Sequence, residues 1–452
     1  MLLPIGVNLR DIHRGCKRGS ACQTKSLCSV TPNITNDVFE HSVSFKSTLT
    51  VLNGQNSFVG EAMSLKNPKW VNSISRKVPT NEVTENVFDR DRKSIINTDG
   101  YDRLRLKCMV YPIPDNDMVT TRSVHVLQVA NVAREICKKL GLNESLAEVI
   151  ALGHDIGHSP FGHYGEFALN KISKKYALPN FWHEKNGLRM VDKLLTIVDS
   201  NGAKQNLNLT YAVRDGIICH CGEVDENFIK PRNAFVPLSS ITKPAQHQPY
   251  TWEGVVVKIS DKVAYLGRDI EDALRLGIYD DDNQKELNDI VRTVKPDFNG
   301  VVNNASLTKL FVDDIVRNSS PQKGIGLSAE GLHVMNEVKK YNMEHVYSKD
   351  EVRAISRAQT ENILESIFLY YDKMYKGQST VSLLMNNGDK YCNSFSKWLA
   401  QRSATLCRNI QDKNASVYSL NNKSDYRQAI IDYISGMTDT FAMKTYNHIQ
   451  TQ

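Results

Sequence analysis

The sequence predicts an all-α protein, and two observations carry this prediction. Long segments repeat their apolar residues every three to four positions, and sustained alternation of apolar and polar residues, the pattern of strands, is missing. Of the 452 residues, 41% are hydrophobic and 23% are charged, which is typical of a globular protein with a large core. No window approaches the roughly 18 apolar residues of a membrane-spanning helix, so we expect no membrane partner.

The helical period is clearest from about residue 120 onward. In "RSVHVLQVANVAREICKKLG", Val126, Val129 and Ile136 share one face, and Gly141 is a stop signal. In the next helix, Asn143 is the expected N-cap. Further helices are expected at 183–198, 208–221, 252–277, 304–319, 328–347, 351–374 and 424–446. Two short strands are expected at most, at 107–113 and 302–307.

Charge and cysteine usage restrict the partners and the compartment. A net charge of +6 allows an anionic partner such as a nucleotide, a phosphate or a nucleic acid. The chain has nine cysteines, and its short apolar start precedes its basic residues, the reverse of the order in a secretory signal. We therefore expect reduced thiols and a cytoplasmic location.

Residues 1–62 differ in composition from the rest of the chain. They are rich in Ser, Thr, Asn and Gly without a helical period, which predicts a flexible N-terminal extension. Cys16, Cys22 and Cys28 are spaced by six residues, wider than the usual zinc knuckle. The basic residues before residue 30 leave a nucleic-acid or targeting arm open.

The run "HDIGHSPFGHYGE", residues 154–166, concentrates ligand-type side chains directly after an apolar helix. The adjacent His154 and Asp155 form a nitrogen and oxygen set that suits Mn, Fe, Mg or Zn. Beyond the break at Pro160, His163 and Glu166 lie three apart on one helical face, as in a general acid–base pair. Each residue alone also has a plainer interpretation, as a helix cap, a satisfied core group or a first-turn acid.

Three segments carry a resemblance to a known family. The segments "TTRSVHVLQVANVAREI", "EVIALGHDIGHSPFGHYGE" and "VVVKISDKVAYLGRDIEDAL" resemble the HD superfamily of metal-dependent phosphohydrolases. The "HD-GH-PFGH-GE" run is similar to its deoxyguanosine triphosphate triphosphohydrolase group. The resemblance covers about residues 63–445. It implies a helical HD-domain catalytic core at 63–280 and additional C-terminal helices at 281–452 that complete the site and the oligomer contacts.

The resemblance implies a role for residues at matching positions. The implied ligands of a divalent metal ion are His125, His154, Asp155 and Asp261. The implied catalytic pair is His163 and Glu166. The implied substrate contacts are Arg122, His158, His183 and Lys262 for the phosphates, and Tyr265 and Asp269 for the deoxyribose. The chain departs from many members at Glu184, where they have Asn, and we expect His220 and Glu223 to cap a helix rather than enter the site.

The implied activity is metal-dependent hydrolysis of deoxynucleoside triphosphates, dGTP above all, to deoxynucleoside and inorganic triphosphate. Two alternatives stay open. One is another HD phosphohydrolase: a nucleotidase, or a cyclic-nucleotide or guanosine tetraphosphate hydrolase. The other is a nucleotide- or nucleic-acid-binding sensor that keeps the fold. We expect a tetramer or hexamer, and a nucleotide or single-stranded DNA effector remains open.

Overall fold

The computed structural model describes residues 58–80, 87–112, 116–198, 202, 204–221, 227–347, 355–403 and 417–452. Most of the predicted extension at 1–62, with Cys16, Cys22 and Cys28, lies outside the described residues. Contacts group residues 51–452 into one compact unit. The boundaries predicted at 63–280 and 281–452 stay predictions.

The described residues form 17 α-helices, which confirms the all-α prediction. The helices are α1 (Trp70–Ser73), α2 (Val87–Ile96), α3 (Asp99–Arg103), α4 (Arg122–Leu140), α5 (Glu144–Gly153), α6 (Gly162–Lys175), α7 (His183–Arg189), α8 (Tyr211–Cys219), α9 (Trp252–Arg275), α10 (Asp281–Val294), α11 (Asn304–Asn318), α12 (Ala329–Asn342), α13 (Arg357–Asp372), α14 (Thr380–Asn386), α15 (Lys390–Ala400), α16 (Lys423–Ser435) and α17 (Asp439–Gln450). None of these helices is long and apolar enough to cross a bilayer. Short 3₁₀ turns lie at Leu104–Leu106, His154–Gly157 and Leu238–Ser240, and π-helical turns lie at Met190–Leu194 and Met343–Tyr347.

The strand prediction was wrong in position. Among the described residues, β1 (Thr196–Val198) and β2 (Lys204–Asn206) form one small antiparallel pair. In the described part of 107–113, residues 107–112, an isolated bridge joins Cys108 to Thr121 in place of a strand. At 302–307 a helix begins instead, because the Asn303 side chain accepts a hydrogen bond from the backbone of Ser306 and caps α11.

The helix predicted at 183–198 is shorter than expected. Helix α7 ends at Arg189, a π-helical turn follows, and Thr196 already belongs to β1. The β-branched residues Thr196, Ile197 and Val198 favour a strand once a partner lies beside them. That partner is β2, where Lys204 lies opposite Val198.

One part of the core is built from helices that pack around α4. Val126, Val129 and Ile136 on α4 are fully buried, as their spacing predicts. Asn143 caps α5, since its side chain accepts a hydrogen bond from the backbone of Leu146 at 3.0 Å. Helix α4 packs against both α5 and α9. Three segments that carry ligand-type residues are thereby brought together.

A close backbone contact fixes the 3₁₀ turn His154–Gly157 against α7. A Cβ atom placed on Gly157 would lie 2.1 Å from both the backbone nitrogen of Gly187 and the carbonyl oxygen of His183. The side chain of Asn186 also donates to the carbonyl oxygen of Gly157 at 2.7 Å. Only glycine allows this approach, so the turn and α7 form one packed piece.

The C-terminal helices hold the turn that follows the His-Asp segment. Phe161 adopts a left-handed conformation, with φ +62°. Asp439, at the start of α17, accepts hydrogen bonds from the backbone nitrogens of Phe161 and Cys108, both at 3.0 Å. Lys107 donates to the carbonyl oxygens of His158 and Ser435. Residues near 439 therefore support the segment that carries the candidate site.

Candidate active site

Four predicted ligands meet at one point in the structure. His125 comes from α4, His154 and Asp155 from the 3₁₀ turn, and Asp261 from α9. His125 Nε2 lies 2.9 Å from Asp261 Oδ1, and His154 Nε2 lies 3.4 Å from Asp155 Oδ1. His154 Nε2 and Asp261 Oδ1 are 3.8 Å apart. Ligand atoms of one ion are about 3 Å apart when its bonds are about 2.1 Å, so these side chains could hold a divalent metal.

The tautomer of His154 suits it to bind a metal. Its Nδ1 lies 2.6 Å from the carbonyl oxygen of Ala151, which can only accept, so Nδ1 carries the proton. The other nitrogen, Nε2, is buried and has no hydrogen-bond partner among the described residues. A buried lone pair of this kind is costly unless it has a partner, and a bound cation would satisfy it.

Asp155 is held in its ionised form by its neighbours. Burial alone would raise the pKa of its carboxyl group, but the adjacent His154 ring and the Arg122 guanidinium lower that pKa well below its usual range. The guanidinium of Arg122 donates to Asp155 Oδ2 at 2.6 Å, and both side chains are buried. Arg122 therefore orients a candidate metal ligand in addition to lining the cavity.

Glu166 lies between two histidines rather than beside one. Its Oε2 is 3.5 Å from His163 Nδ1 and 2.9 Å from His183 Nδ1. The side chain of His163 is 73% exposed, whereas that of His183 is 7% exposed. The contact between His163 and Glu166 that their spacing predicts is therefore present. The sequence did not predict the closer contact of Glu166 with His183, which is 17 residues away.

His158 connects the metal-ligand cluster with this histidine pair. Its ring stacks on that of His183, with centroids 3.9 Å apart, and its Nε2 lies 3.1 Å from Asp155 Oδ1. Burial and the nearby charge of Arg122 lower the pKa of His158 well below its ordinary value. A neutral ring at this position can hydrogen-bond both Asp155 and a ligand without adding charge to the cluster.

The sequence missed two further residues of the site, His220 and Cys221. The ring of His220 lies 4.8 Å from that of His154, and burial together with His154 lowers its pKa to about 3. Its Nδ1 contacts the carbonyl oxygen of Ile217 at the end of α8, as expected for a capping residue. The same ring also lines the cavity. Cys221 lies with His183 and Glu184 in a group whose ligand atoms are within 4.8 Å. Glu223 lies outside the described residues.

A cavity of about 360 Å³ extends from the candidate metal ligands and the histidines to Tyr265 and Asp269, the residues predicted to contact the sugar. Ten of the twelve predicted residues line it: Arg122, His125, Asp155, His158, His163, His183, Asp261, Lys262, Tyr265 and Asp269. His154 and Glu166 contact lining residues without lining the cavity themselves. Lys258, Lys339 and Tyr347 line it as well, and nothing in the sequence had singled them out.

Asp269 is unusual among the carboxylates of the cavity. It is almost fully buried and accepts a hydrogen bond from the hydroxyl of Tyr347. Burial raises the pKa of Asp269 to about 7, against the opposing effect of that hydrogen bond. Its Oδ1 has no hydrogen-bond partner among the described residues and could contact a hydroxyl group of a ligand.

Replacing Glu166 with Gln should lower the pKa of His183. Burial alone would lower that pKa, but Glu184 and Glu166 together raise it well above its ordinary value. A histidine whose pKa is raised on folding stabilises the folded state. This contribution is complete below about pH 6.5 and is lost as the pH rises through the raised pKa. Glu166→Gln should therefore reduce the free energy of unfolding more at pH 6 than above the raised pKa.

The measurement is an NMR titration of the His183 ring, assigned with a His183→Gln variant, with urea unfolding at two pH values. Glu135→Gln is the matched control, because Glu135 is exposed on α4 and the charge change is the same. An unchanged His183 titration in Glu166→Gln would contradict the contact between the two side chains.

Comparison with known proteins gives two family matches and several relatives. Residues 122–266 match the HD domain, and residues 374–448 match the phosphohydrolase-associated domain. A deoxyguanosinetriphosphate triphosphohydrolase-like protein of Caldanaerobacter subterraneus subsp. tengcongensis is 31% identical over 80% of this chain and 84% of its own length. Proteins of the same name from Pelagibacter ubique and Clostridium tetani are 30% and 31% identical, each over 80% of this chain. They are matched over 93% and 85% of their own lengths.

Proposed function

Because the chain belongs to the deoxyguanosinetriphosphate triphosphohydrolase-like proteins of the HD superfamily, we propose that it hydrolyses deoxynucleoside triphosphates, with dGTP preferred. The products are the deoxynucleoside and inorganic triphosphate. Membership of the family makes the chain a metal-dependent phosphohydrolase, and the proposal adds the substrate and the bond that breaks. The observation that carries it is that three features meet in one cavity. These are a cluster able to hold a metal, a His–Glu contact and a carboxyl group on the sugar side.

We assign the metal to His125, His154, Asp155 and Asp261. The donor set of two imidazoles and two carboxylates fits Mn, Mg, Fe or Zn, and the unpaired Nε2 of His154 supports this assignment. When bound, a divalent ion polarises a phosphate oxygen and lowers the pKa of a coordinated water.

The phosphates would be held by cationic and hydrogen-bonding side chains around the cluster. Arg122 supplies a guanidinium with several donors, and the raised pKa of His183 favours the protonated form of its ring. Lys262 and His158 line the same wall. Together these groups would offset the charge of a triphosphate and favour the charge that develops at the reacting phosphorus.

The reaction needs a proton transfer that we assign to His163 and Glu166. Water attacks the α-phosphorus, the bond from that phosphorus to the 5′ oxygen breaks, and the 5′ oxygen gains a proton. The exposed ring of His163 lines the cavity, and Glu166 orients it from behind at 3.5 Å. The buried His183 shares the same carboxylate and keeps it ionised, because it lowers the pKa of Glu166 against the effect of burial.

The sugar would be read by Tyr265 and Asp269, which lie four residues apart on α9. The open Oδ1 of Asp269 can pair with the 3′ hydroxyl, while the hydroxyl of Tyr347 holds the other carboxyl oxygen. The ring of Tyr265 would crowd a 2′ hydroxyl and so disfavour ribonucleotides. We also propose a cytoplasmic location and a tetramer or hexamer with contacts from residues 281–452.

Product analysis tests the proposed function directly. Each deoxynucleoside triphosphate is incubated with the protein and Mn²⁺ or Mg²⁺, and the products are separated by ion-exchange chromatography. We expect deoxynucleoside and inorganic triphosphate, with the highest kcat/KM for dGTP and a much lower value for GTP. Release of orthophosphate or pyrophosphate would point to another phosphohydrolase, and the absence of turnover with every substrate would point to a sensor.

A further inference from the structure

A second cavity, of about 560 Å³, lies beside α7 and shares no lining residue with the first. Helix α7 borders both cavities: His183 lines the first, while Lys185 and Arg189 line the second. Segments from the α1–α2 connection, α8, the 235–241 loop and α16 complete its walls. Its volume falls within the range of roughly 300–1,000 Å³ that is typical of small-molecule sites.

Positive charge dominates the walls of the second cavity. Its cationic side chains are Arg76, Lys77, Lys185, Arg189, Lys193 and Arg214. The acidic side chains that line it among the described residues are Asp192 and Asp432. The cavity therefore has more cations than its own carboxylates can neutralise, and an anionic ligand would balance them.

Four of these cations have carboxylate partners, and two do not. Arg214 and Lys77 both pair with Asp192, at 2.6 and 2.7 Å. Arg189 pairs with Asp432 at 2.6 Å. Arg76 pairs with the buried Asp91 at 2.6 Å.

Lys185 and Lys193 have no ion-pair partner among the residues that the structure describes. Burial and the nearby charge of Arg189 lower the pKa of both amino groups. An anion beside these amino groups would offset the charge of Arg189, because opposite charge favours the protonated form.

The remaining walls are aromatic and apolar. Phe235 is 46% exposed, and its ring lies 4.3 Å from that of Tyr211. The Nζ atom of Lys185 lies 4.5 Å from the centre of the Trp182 ring, which positions an ammonium beside an aromatic surface. The walls also hold an unpaired donor and an unpaired acceptor: neither Trp182 Nε1 nor Gln428 Oε1 has a hydrogen-bond partner among the described residues.

We propose that the second cavity binds a small organic phosphate, with its phosphate against the cationic wall that includes Lys185 and Lys193 and a flat ring against Phe235 and Tyr211. Two unpaired ammonium groups match the charge of one phosphate group. The aromatic wall matches a planar apolar body, which inorganic phosphate lacks. The volume fits one small molecule and leaves no room for a nucleic-acid strand. This site does not depend on the proposed activity, because binding is measured without turnover.

Equilibrium binding of AMP to the full chain in EDTA tests the proposal. AMP combines one phosphate with one planar ring, and calorimetry follows its binding. We expect saturable binding to the unaltered protein and at least a tenfold weaker affinity in the double variant Lys185→Gln, Lys193→Gln. Inorganic phosphate alone and adenosine alone should each bind at least tenfold more weakly than AMP.

The matched control is Lys138→Gln, Lys174→Gln, which removes the same charge from exposed positions on α4 and α6. It should keep the affinity of the unaltered protein. Phe235→Ser provides a second variant at a half-exposed position that little in the core depends on, and it should weaken AMP binding at least fivefold. Equal AMP affinity in the Lys185, Lys193 variant and its control would overturn the proposal, as would no saturable binding at low millimolar AMP. Loss of single-stranded DNA binding in the Lys185, Lys193 variant, with AMP binding unchanged, would overturn it in favour of a nucleic-acid surface.

Discussion

Replacing Asp261 with Asn should abolish both metal binding and hydrolysis. Asp261 is the only α9 member of the cluster, and its Oδ1 lies within 3.8 Å of ligand nitrogens on both His125 and His154. An amide in its place is a weaker ligand and carries no charge to offset that of a divalent ion. Removing one preorganised electrostatic group from an active site costs about 10²–10³-fold in kcat, and loss of a bound ion should cost more.

The readouts are metal content after loading with Mn²⁺ and desalting, and the thermal midpoint with and without Mn²⁺. A ligand that binds only the folded protein raises the midpoint, so the unaltered protein should show a rise that Asp261→Asn lacks. Asp269→Asn is the matched control, because it makes the same chemical change two helical turns further along α9. That control should keep its metal while losing substrate affinity. A fully metal-loaded Asp261→Asn protein would remove Asp261 from the proposed ligand set.

Replacing Gly157 with Ala should strongly destabilise the fold at the segment that carries the site. The new methyl group would lie 2.1 Å from backbone atoms of Gly187 and His183, and backbone atoms cannot move aside as a flexible side chain can. Overpacking of this kind costs about 1–3 kcal/mol when it can relax and more when it cannot, so we expect a loss of at least about 3 kcal/mol. Because the turn carries His154 and Asp155, metal affinity should fall with stability.

Urea unfolding of three alanine variants checks this expectation. Gly187→Ala would contact a methyl of Ile217 at 3.0 Å, which can shift, so its cost should be intermediate. Gly141→Ala meets nothing within 4 Å, and its cost should come only from the positive φ of +75°, about 1–2 kcal/mol. If Gly157→Ala is no less stable than Gly141→Ala, the backbone contact between the turn and α7 does not constrain the fold.

The sequence predicts well those features that depend on residues close together along the chain. The buried stripe of α4 follows from its period, and the Asn143 cap follows from the chemistry of one side chain at a helix start. The His-Asp cluster is also visible, because two of its four members are adjacent and a family resemblance supplies the others. These features need no knowledge of how distant helices pack.

Contacts between distant elements were not predictable in the same way. Glu166 and His183 are 17 residues apart, with the end of α6 and an irregular segment between them, so no periodicity relates them. Tyr347 reaches Asp269 from 78 residues away. The residues of β1 were predicted to end a helix, because local propensity does not reveal the partner strand β2 on which the pairing depends.

The two hydrogen bonds that Asp439 accepts have a consequence for the order in which the protein is made. Every candidate metal ligand is synthesised before residue 262, yet the turn at Phe161 is held by the carboxylate of Asp439. Because translation proceeds from the N-terminus, a nascent chain on the ribosome has the full ligand set long before its supporting helix emerges. The turn at Phe161 should therefore reach its final conformation only after residue 439 has emerged from the ribosome.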